Sequence, residues 1–254
     1  MDVVIFAGGF GTRLSEETHL VPKPMIEIGG VPILVHIMQL YASYGHENFV
    51  ICGGYKVDYI KNFFSNYMRN MNDLKLNFAD NSIQFLAEQS MSWTVKIIDT
   101  GLETNTAGRL KRVAAHIESD EFFVTYGDGV SNVNLDELYT QHKRNGTAAT
   151  LSAVVPNSRF GALKLDGSKV REFTEKPTEN VSRINGGFMV VSRPVLDLIT
   201  KDSESFEEDI LPLVAKEGDL GCYFHDGFWH PMDTLRDKKF LENLWDEGRA
   251  PWRT

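Results

Sequence analysis

The run Phe122-Phe123-Val124-Thr125-Tyr126 carries no charge and no alternation of polar and apolar positions. A strand formed from such a run is covered on both faces, as in a mostly parallel sheet flanked by helices. The rest of the first half agrees, because short β-branched or aromatic runs alternate there with longer amphipathic segments, the pattern of βα units. Val3 to Ala7 reads as the first strand. The segment after Pro32 reads as a helix, with Ile33, Ile37, Leu40, Tyr41 and Tyr44 on one face and Gly45 at its end. Phe49 to Cys52 and Trp93 to Ile98 supply further strands, and helices are expected from about Val57 to Met71, Thr106 to Ile117 and Leu135 to Asn145. Leu74 to Phe78 and Ile83 to Leu86 flank Asp80-Asn81 as a small hairpin.

Beyond residue 145 the strand signals come closer together, with Asp166-Gly167 between Ala162 to Leu165 and Lys169 to Phe173, which reads as antiparallel decoration. A strand at Leu220 to Phe224 and a helix from about Thr234 to Glu247 follow. With 254 residues, 42% of them hydrophobic, the chain suffices for one substantial core, so a single domain over 1–254 is expected. The formal charge of -9 argues against a nucleic-acid surface, which needs clustered Lys and Arg. No apolar stretch approaches the roughly 18 residues of a membrane span, so no membrane contact and a cytoplasmic residence are expected. Cys52 and Cys222 lie in apolar, strand-like surroundings and are expected to act as small free hydrophobes.

Directly after the first strand comes Ala7-Gly8-Gly9-Phe10-Gly11-Thr12-Arg13-Leu14. Glycines placed there let backbone N–H groups surround an anion. A Walker loop would end in Gly-Lys-Ser or Gly-Lys-Thr, whereas this one ends in Gly11-Thr12-Arg13. The dinucleotide fingerprint would need a glycine where Leu14 stands. A phosphate cradle outside both classes remains. Pro22-Lys23-Pro24-Met25 strengthens it, because Arg13 and Lys23 on one connection can together neutralise a triphosphate. The plain alternative is a solvated loop lysine between two segment-ending prolines.

Gly8-Gly9-x-Gly11-Thr12-Arg13-Leu14 followed by Lys23-Pro24-Met25 resembles the signature of the sugar nucleotidyltransferase family. Tyr126-Gly127-Asp128-Gly129, Phe160-Gly161, Glu175-Lys176-Pro177, Ile184-Asn185-Gly186-Gly187-Phe188 and Trp229-His230-Pro231-Met232-Asp233-Thr234 continue the resemblance in order over essentially the whole chain. It implies an α/β nucleotide-diphospho-sugar transferase fold: a Rossmann-like, mostly parallel mixed sheet flanked by helices, with a small antiparallel sugar-binding subdomain. The nucleotide part would occupy about 1–145 and the sugar-binding part 146–254. Within the family, Leu14 to Thr18, Asp99-Thr100-Gly101, Thr106 to Arg112 and Gly227-Phe228-Trp229 are most similar to the cytidylyl-transferring branch. Thymidylyl- and uridylyl-transferring relatives carry a Gln after Leu-Ala where this chain has Gly108-Arg109-Leu110-Lys111.

The resemblance implies CTP and glucose 1-phosphate as substrates, Mg²⁺ as cofactor, a homo-oligomer, and a place in surface-polysaccharide (O-antigen) sugar synthesis. Ala7, Gly8, Gly9, Gly11 and Thr12 would meet the nucleotide, Arg13 its β- and γ-phosphates, and Lys23 its α-phosphate. Gly108 and Arg109 would lie by the base. Asp128 and Asp233 would hold magnesium, with Asp128 also beside the nucleotide, and Glu175, Lys176, Asn185 and the exposed backbone of Gly186 would meet the sugar. Simpler roles exist: Asp128 as a turn former, Asp233 as the N-cap of the last helix, Gly186-Gly187 as a bulge entering a strand. Other function classes are a dTDP- or UDP-glucose-forming enzyme, a non-catalytic sugar-nucleotide sensor, and a glycosyltransferase, the last disfavoured by Gly127-Asp128-Gly129 in place of Asp-x-Asp. The seven histidines show no His-x-x-x-His spacing and suggest no zinc site.

Overall fold

In the computed structural model, which describes residues 1–11, 19–86, 91–156, 162–166, 169–174 and 182–253, the first strand, β1 (Asp2–Ala7), is buried along its whole length. Val3 and Ile5 belong to one core cluster and Val4 and Phe6 to a second, so its two faces serve two hydrophobic layers. Strand alternation makes this unavoidable once helices cover both sides. Six more strands complete the sheet: β2 (Asn48–Gly53), β3 (Thr94–Asp99), β4 (Glu121–Tyr126), β5 (Ala149–Val154), β6 (Ile184–Ser192) and β7 (Leu220–His225). Their spatial order is β7-β5-β6-β4-β1-β2-β3. Only β6 runs antiparallel to its neighbours.

One layer packs α1 (Ile33–Ser43) and α6 (Leu235–Asp246) on the sheet, through Ile33, Leu34, Ile37, Tyr41 and Leu241. The other packs α3 (Thr106–Val113) and α5 (Leu211–Lys216), through Ala107, Leu110, Leu211 and Val214. The amphipathic α2 (Val57–Met71) and α4 (Leu135–Asn145) complete the helices. No described helix is long and apolar enough to cross a membrane.

The expected βα alternation, the 74–86 hairpin (Leu74–Asn77 with Ser82–Phe85) and the hairpin Ala162–Asp166 with Lys169–Thr174 are all present. The change of pattern after residue 145 does not end the sheet, however, because β5, β6 and β7 extend it on the β4 side. The helix expected to reach Ile117 stops at Val113 and tightens into a 3-10 turn, Ala114–His116. Both cysteines are free thiols, but only Cys52 is buried; Cys222 is exposed because β7 is an edge strand.

Candidate active site

β1 lies between β2 and β4, so the chain leaves it first to one side and later to the other. In such sheets the crevice beyond the carboxyl ends of the strands at that switch is the natural ligand site. The turns after Ala7, Gly53, Asp99 and Tyr126 all open onto this edge.

Lys23 begins a 3-10 turn, Lys23–Met25, entered from an extended Pro22 and followed by a buried Pro24. Pro24 packs against Gly127, whose N–H bonds Phe6 O at 2.9 Å. A β-carbon at 127 would come 2.9 Å from Phe6 O and 3.2 Å from Pro24 Cγ, so only glycine allows this approach. Asp128 is thereby set beside Lys23. Asp233 reaches the same point through a short antiparallel ladder, Gly129–Ser131 with Trp229–Pro231, closed by Met232 N–H to Asp128 O at 2.8 Å.

The ammonium of Lys23 donates to Asp128 Oδ2 at 2.6 Å and to Asp233 Oδ1 at 2.7 Å, with its own side chain only 12% exposed. Burial acts to lower the pKa of this lysine, but the two carboxylates outweigh it and the net shift is upward. Lys23 is therefore charged at neutral pH, and it is no solvated loop residue. Asp233 is not the N-cap of α6 either. That role belongs to Thr234, in a reciprocal capping box with Asp237.

Two cavities meet at Asp128. One of about 420 Å³ is lined by Gly8, Gly9, Thr104, Thr106, Arg109 and Tyr126, among others. The second, about 190 Å³, is lined by Tyr126, Asn185, Gly186, Gly187, Trp229 and Asp233, among others. Two carboxylates that share one ammonium converge on a space that a single cation fills. Among the described residues no set of three or more His, Cys, Asp or Glu is placed to hold a metal. A hard cation at this pair would complete its shell with water and substrate oxygens, which suits Mg²⁺.

Several expected site residues are held by contacts within the chain. Arg109 is 5% exposed, and its guanidinium donates to the carbonyls of Gly8, Gly53, Gly101 and Leu102 and to Thr100 Oγ1 at 2.7–3.3 Å. These donors bind together the turns after β1, β2 and β3, while Arg109 also lines the larger cavity. Burial is the foremost influence on Arg109 and lowers its pKa. Gly108 packs on the backbone of Asp202, which a β-carbon would approach to 2.3 Å, and it lies away from the cavity wall. Gly186 is buried, with its carbonyl accepting from the Trp229 indole at 2.7 Å, rather than offering exposed backbone. The register between β5 and β6 shifts opposite Gly186-Gly187, so the bulge is real and shapes the small cavity. Ala7 and Gly8 are buried at the end of β1, Gly9 is exposed on the large cavity, and Gly11 adopts φ +64°. Thr12, Arg13, Glu175 and Lys176 lie outside the described residues.

One participant carried no sequence signal. Glu207, in a π-helical turn Phe206–Ile210, accepts from the Tyr126 hydroxyl, from Thr106 Oγ1 at 2.6 Å and from Ser205 Oγ at 2.8 Å. No motif spacing links residues 126 and 207.

The chain belongs to the nucleotidyl transferase family, whose profile matches residues 2–241. Among curated relatives it is similar to "Glucose-1-phosphate cytidylyltransferase" of Salmonella typhi, 48% identical over 255 residues that cover 100% of this chain and 99% of that one. The enzyme of the same description from Salmonella typhimurium is likewise 48% identical, with the same coverage. Among solved structures, HddC from Yersinia pseudotuberculosis shares the fold at a TM-score of 0.69 and 24% identity, covering 96% of this chain and 99% of that chain.

Proposed function

We propose that the protein transfers a cytidylyl group from CTP to α-D-glucose 1-phosphate, giving CDP-glucose and pyrophosphate. A phosphate oxygen of the sugar phosphate attacks the α-phosphorus of CTP. The new P–O bond forms as the bond from that phosphorus to the α,β-bridging oxygen breaks, and pyrophosphate departs with its electron pair. Both reactants are anions, and a phosphate monoester is already a nucleophile, so alignment and charge neutralisation supply the catalysis.

The observation that carries this reading is Lys23 held between Asp128 and Asp233 where two cavities meet. The larger cavity is assigned to CTP and the smaller to the hexose 1-phosphate, which leaves the reacting phosphates at Asp128. Lys23 is assigned to the α-phosphate, where a compact ammonium follows developing charge. Arg13 is assigned to the departing β- and γ-phosphates, and Glu175 and Lys176 to the sugar. Asp128 and Asp233 are the residues that would hold Mg²⁺, which when bound neutralises phosphate charge and fixes its oxygens. A homo-oligomer, cytoplasmic residence and a role in surface-polysaccharide sugar supply complete the proposal, as the family resemblance of the sequence motifs implies.

The test is pyrophosphate release with each nucleoside triphosphate paired with each of several hexose 1-phosphates. Turnover is expected to be greatest with CTP and glucose 1-phosphate. A clear preference for dTTP or UTP would reject the base assignment, and no turnover with any pair would reject the activity.

A further inference from the structure

The start of α3 and the segment that leads into α5 are tied in a fixed register. Asn105 N–H bonds Asp202 O at 2.8 Å, Ala107 N–H bonds Glu204 O at 3.1 Å, and Phe206 N–H bonds Thr106 Oγ1 at 2.8 Å. These contacts bring Glu207 within hydrogen-bond reach of Thr106, which lines the larger cavity. The other oxygen of the same carboxylate meets Tyr126, whose ring packs on Phe6 and Gly187 and lines that cavity too.

The hydrogens of these hydroxyls are committed. Thr106 Oγ1 already accepts from Phe206 N–H, and Ser205 Oγ from Glu208 N–H at 3.1 Å, so both turn their own hydrogens to Glu207 Oε2, at 2.6 and 2.8 Å. The Tyr126 phenol donates to Glu207 Oε1. Three incoming hydrogens suit an ionised carboxylate, which only accepts. Burial, and after it the charge of Glu207, push the pKa of the phenol up, so the phenol keeps its hydrogen. Thr106 and Tyr126 therefore offer the larger cavity oxygen lone pairs and no hydrogen.

A wall of acceptors tells pyrimidines apart. Cytosine carries an amino donor at C4, where thymine and uracil carry a carbonyl acceptor. The amino group meets such a wall with a hydrogen bond, whereas a carbonyl meets it lone pair to lone pair, and a polar site rejects the ligand that leaves it unpaired. We propose that Glu207 sets the base preference: it locks the Thr106 and Tyr126 hydroxyls as acceptors, so that the larger cavity takes the 4-amino group of cytosine and disfavours O4 of uracil or thymine. Glu207 is a positioning residue, acting through the two hydroxyls. The inference rests on reading the larger cavity as the CTP site. Ribose hydroxyls are the other donors a nucleotide brings, and the experiment separates them from the base.

The test is the ratio of kcat/KM for CTP to that for UTP, with dCTP as the control for the ribose 2′-hydroxyl. The wild-type panel comes first: a preference for UTP or dTTP there would fail the cytidylyl reading itself and this inference with it. Once CTP is preferred, Glu207→Gln offers one hydroxyl an N–H donor and so frees that hydroxyl's hydrogen for the cavity. The CTP to UTP ratio is expected to fall about tenfold, the scale of one hydrogen bond, with the CTP to dCTP ratio changed by less than about twofold. A merely structural loss lowers kcat/KM for both triphosphates alike and leaves the ratio in place. Tyr126→Phe and Thr106→Val each remove one acceptor and should also lower the ratio, while Thr106→Ser restores the hydroxyl and should keep it; these variants carry the test if Glu207→Gln does not fold. Titration calorimetry with CTP and UTP reads the same preference without chemistry. An unchanged CTP to UTP ratio in the variants, equal losses for both, or a shift in the CTP to dCTP ratio in its place would each overturn the inference.

Discussion

Lys23, half-buried, and Arg109, buried, are both cations at the carboxyl edge of one sheet, and they are compensated in opposite ways. Lys23 faces two carboxylates from distant parts of the chain, whereas Arg109 faces backbone carbonyls of the turns after β1, β2 and β3. A lysine between two anions marks a place where charge is exchanged, because a metal ion and phosphate can each take over one side of the pairing. An arginine whose fork is spent on carbonyls holds geometry. Buried charge alone therefore does not identify a catalytic group; the chemistry of its partners does.

The strongest way to sharpen this contrast is Arg109→Ala. It leaves the carbonyls of Gly8, Gly53, Gly101 and Leu102 without their donor, and a loss of about 3–5 kcal/mol in unfolding free energy is expected from denaturant titration. Arg109→Lys keeps the charge but not the fork and should recover only part of that loss. Full recovery would mean that charge, not geometry, is what Arg109 supplies.

Asp128→Asn or Asp233→Asn should behave in the reverse manner. Each is expected to lower kcat about 100- to 1000-fold, the scale of one electrostatic contact to a transition state. Because both carboxylates are partly exposed, stability should move by about 1 kcal/mol or less. Large unfolding effects with intact turnover would make the pair structural and erase the comparison.

The smallest effect belongs to the neighbouring Thr234→Ala. Loss of the capping box of α6 should cost about 1 kcal/mol of stability with turnover retained, separating residue 234 from residue 233 by readout. A collapse of activity comparable to Asp233→Asn would show that the cap, and not the carboxylate, is what the site needs.

Local signals carried the sheet and the centre of the site. The continuous run 122–126 and the prolines around Lys23 announced strand and fixed lysine, and Asp128 and Asp233, which the family resemblance placed together, do meet at Lys23. The alternatives turned on contacts no local pattern encodes. Thr234 rather than Asp233 caps α6 because its hydroxyl accepts the N–H of Asp237, a choice between adjacent capping-competent residues. The structural bonds of Arg109 were not legible because its carbonyl partners at Gly8 and Gly53 lie 101 and 56 residues away and have no side-chain signature. Glu207 was silent for the same reason, standing 81 residues from Tyr126 in a π-helical turn with no sequence code of its own. Registers of β5, β6 and β7 within the main sheet were also hidden, since short strands at close spacing read alike in a hairpin and in a sheet.

Lys23, Asp128 and Asp233 are proposed to gather around one polyphosphate. A crystal structure with CTP and Mg²⁺ tests it most directly: the metal should be bound by both carboxylates at about 2.1 Å, with Lys23 turned to a phosphate oxygen. Nucleotide and metal bound away from this edge, with the Lys23 pairing undisturbed, would contradict it.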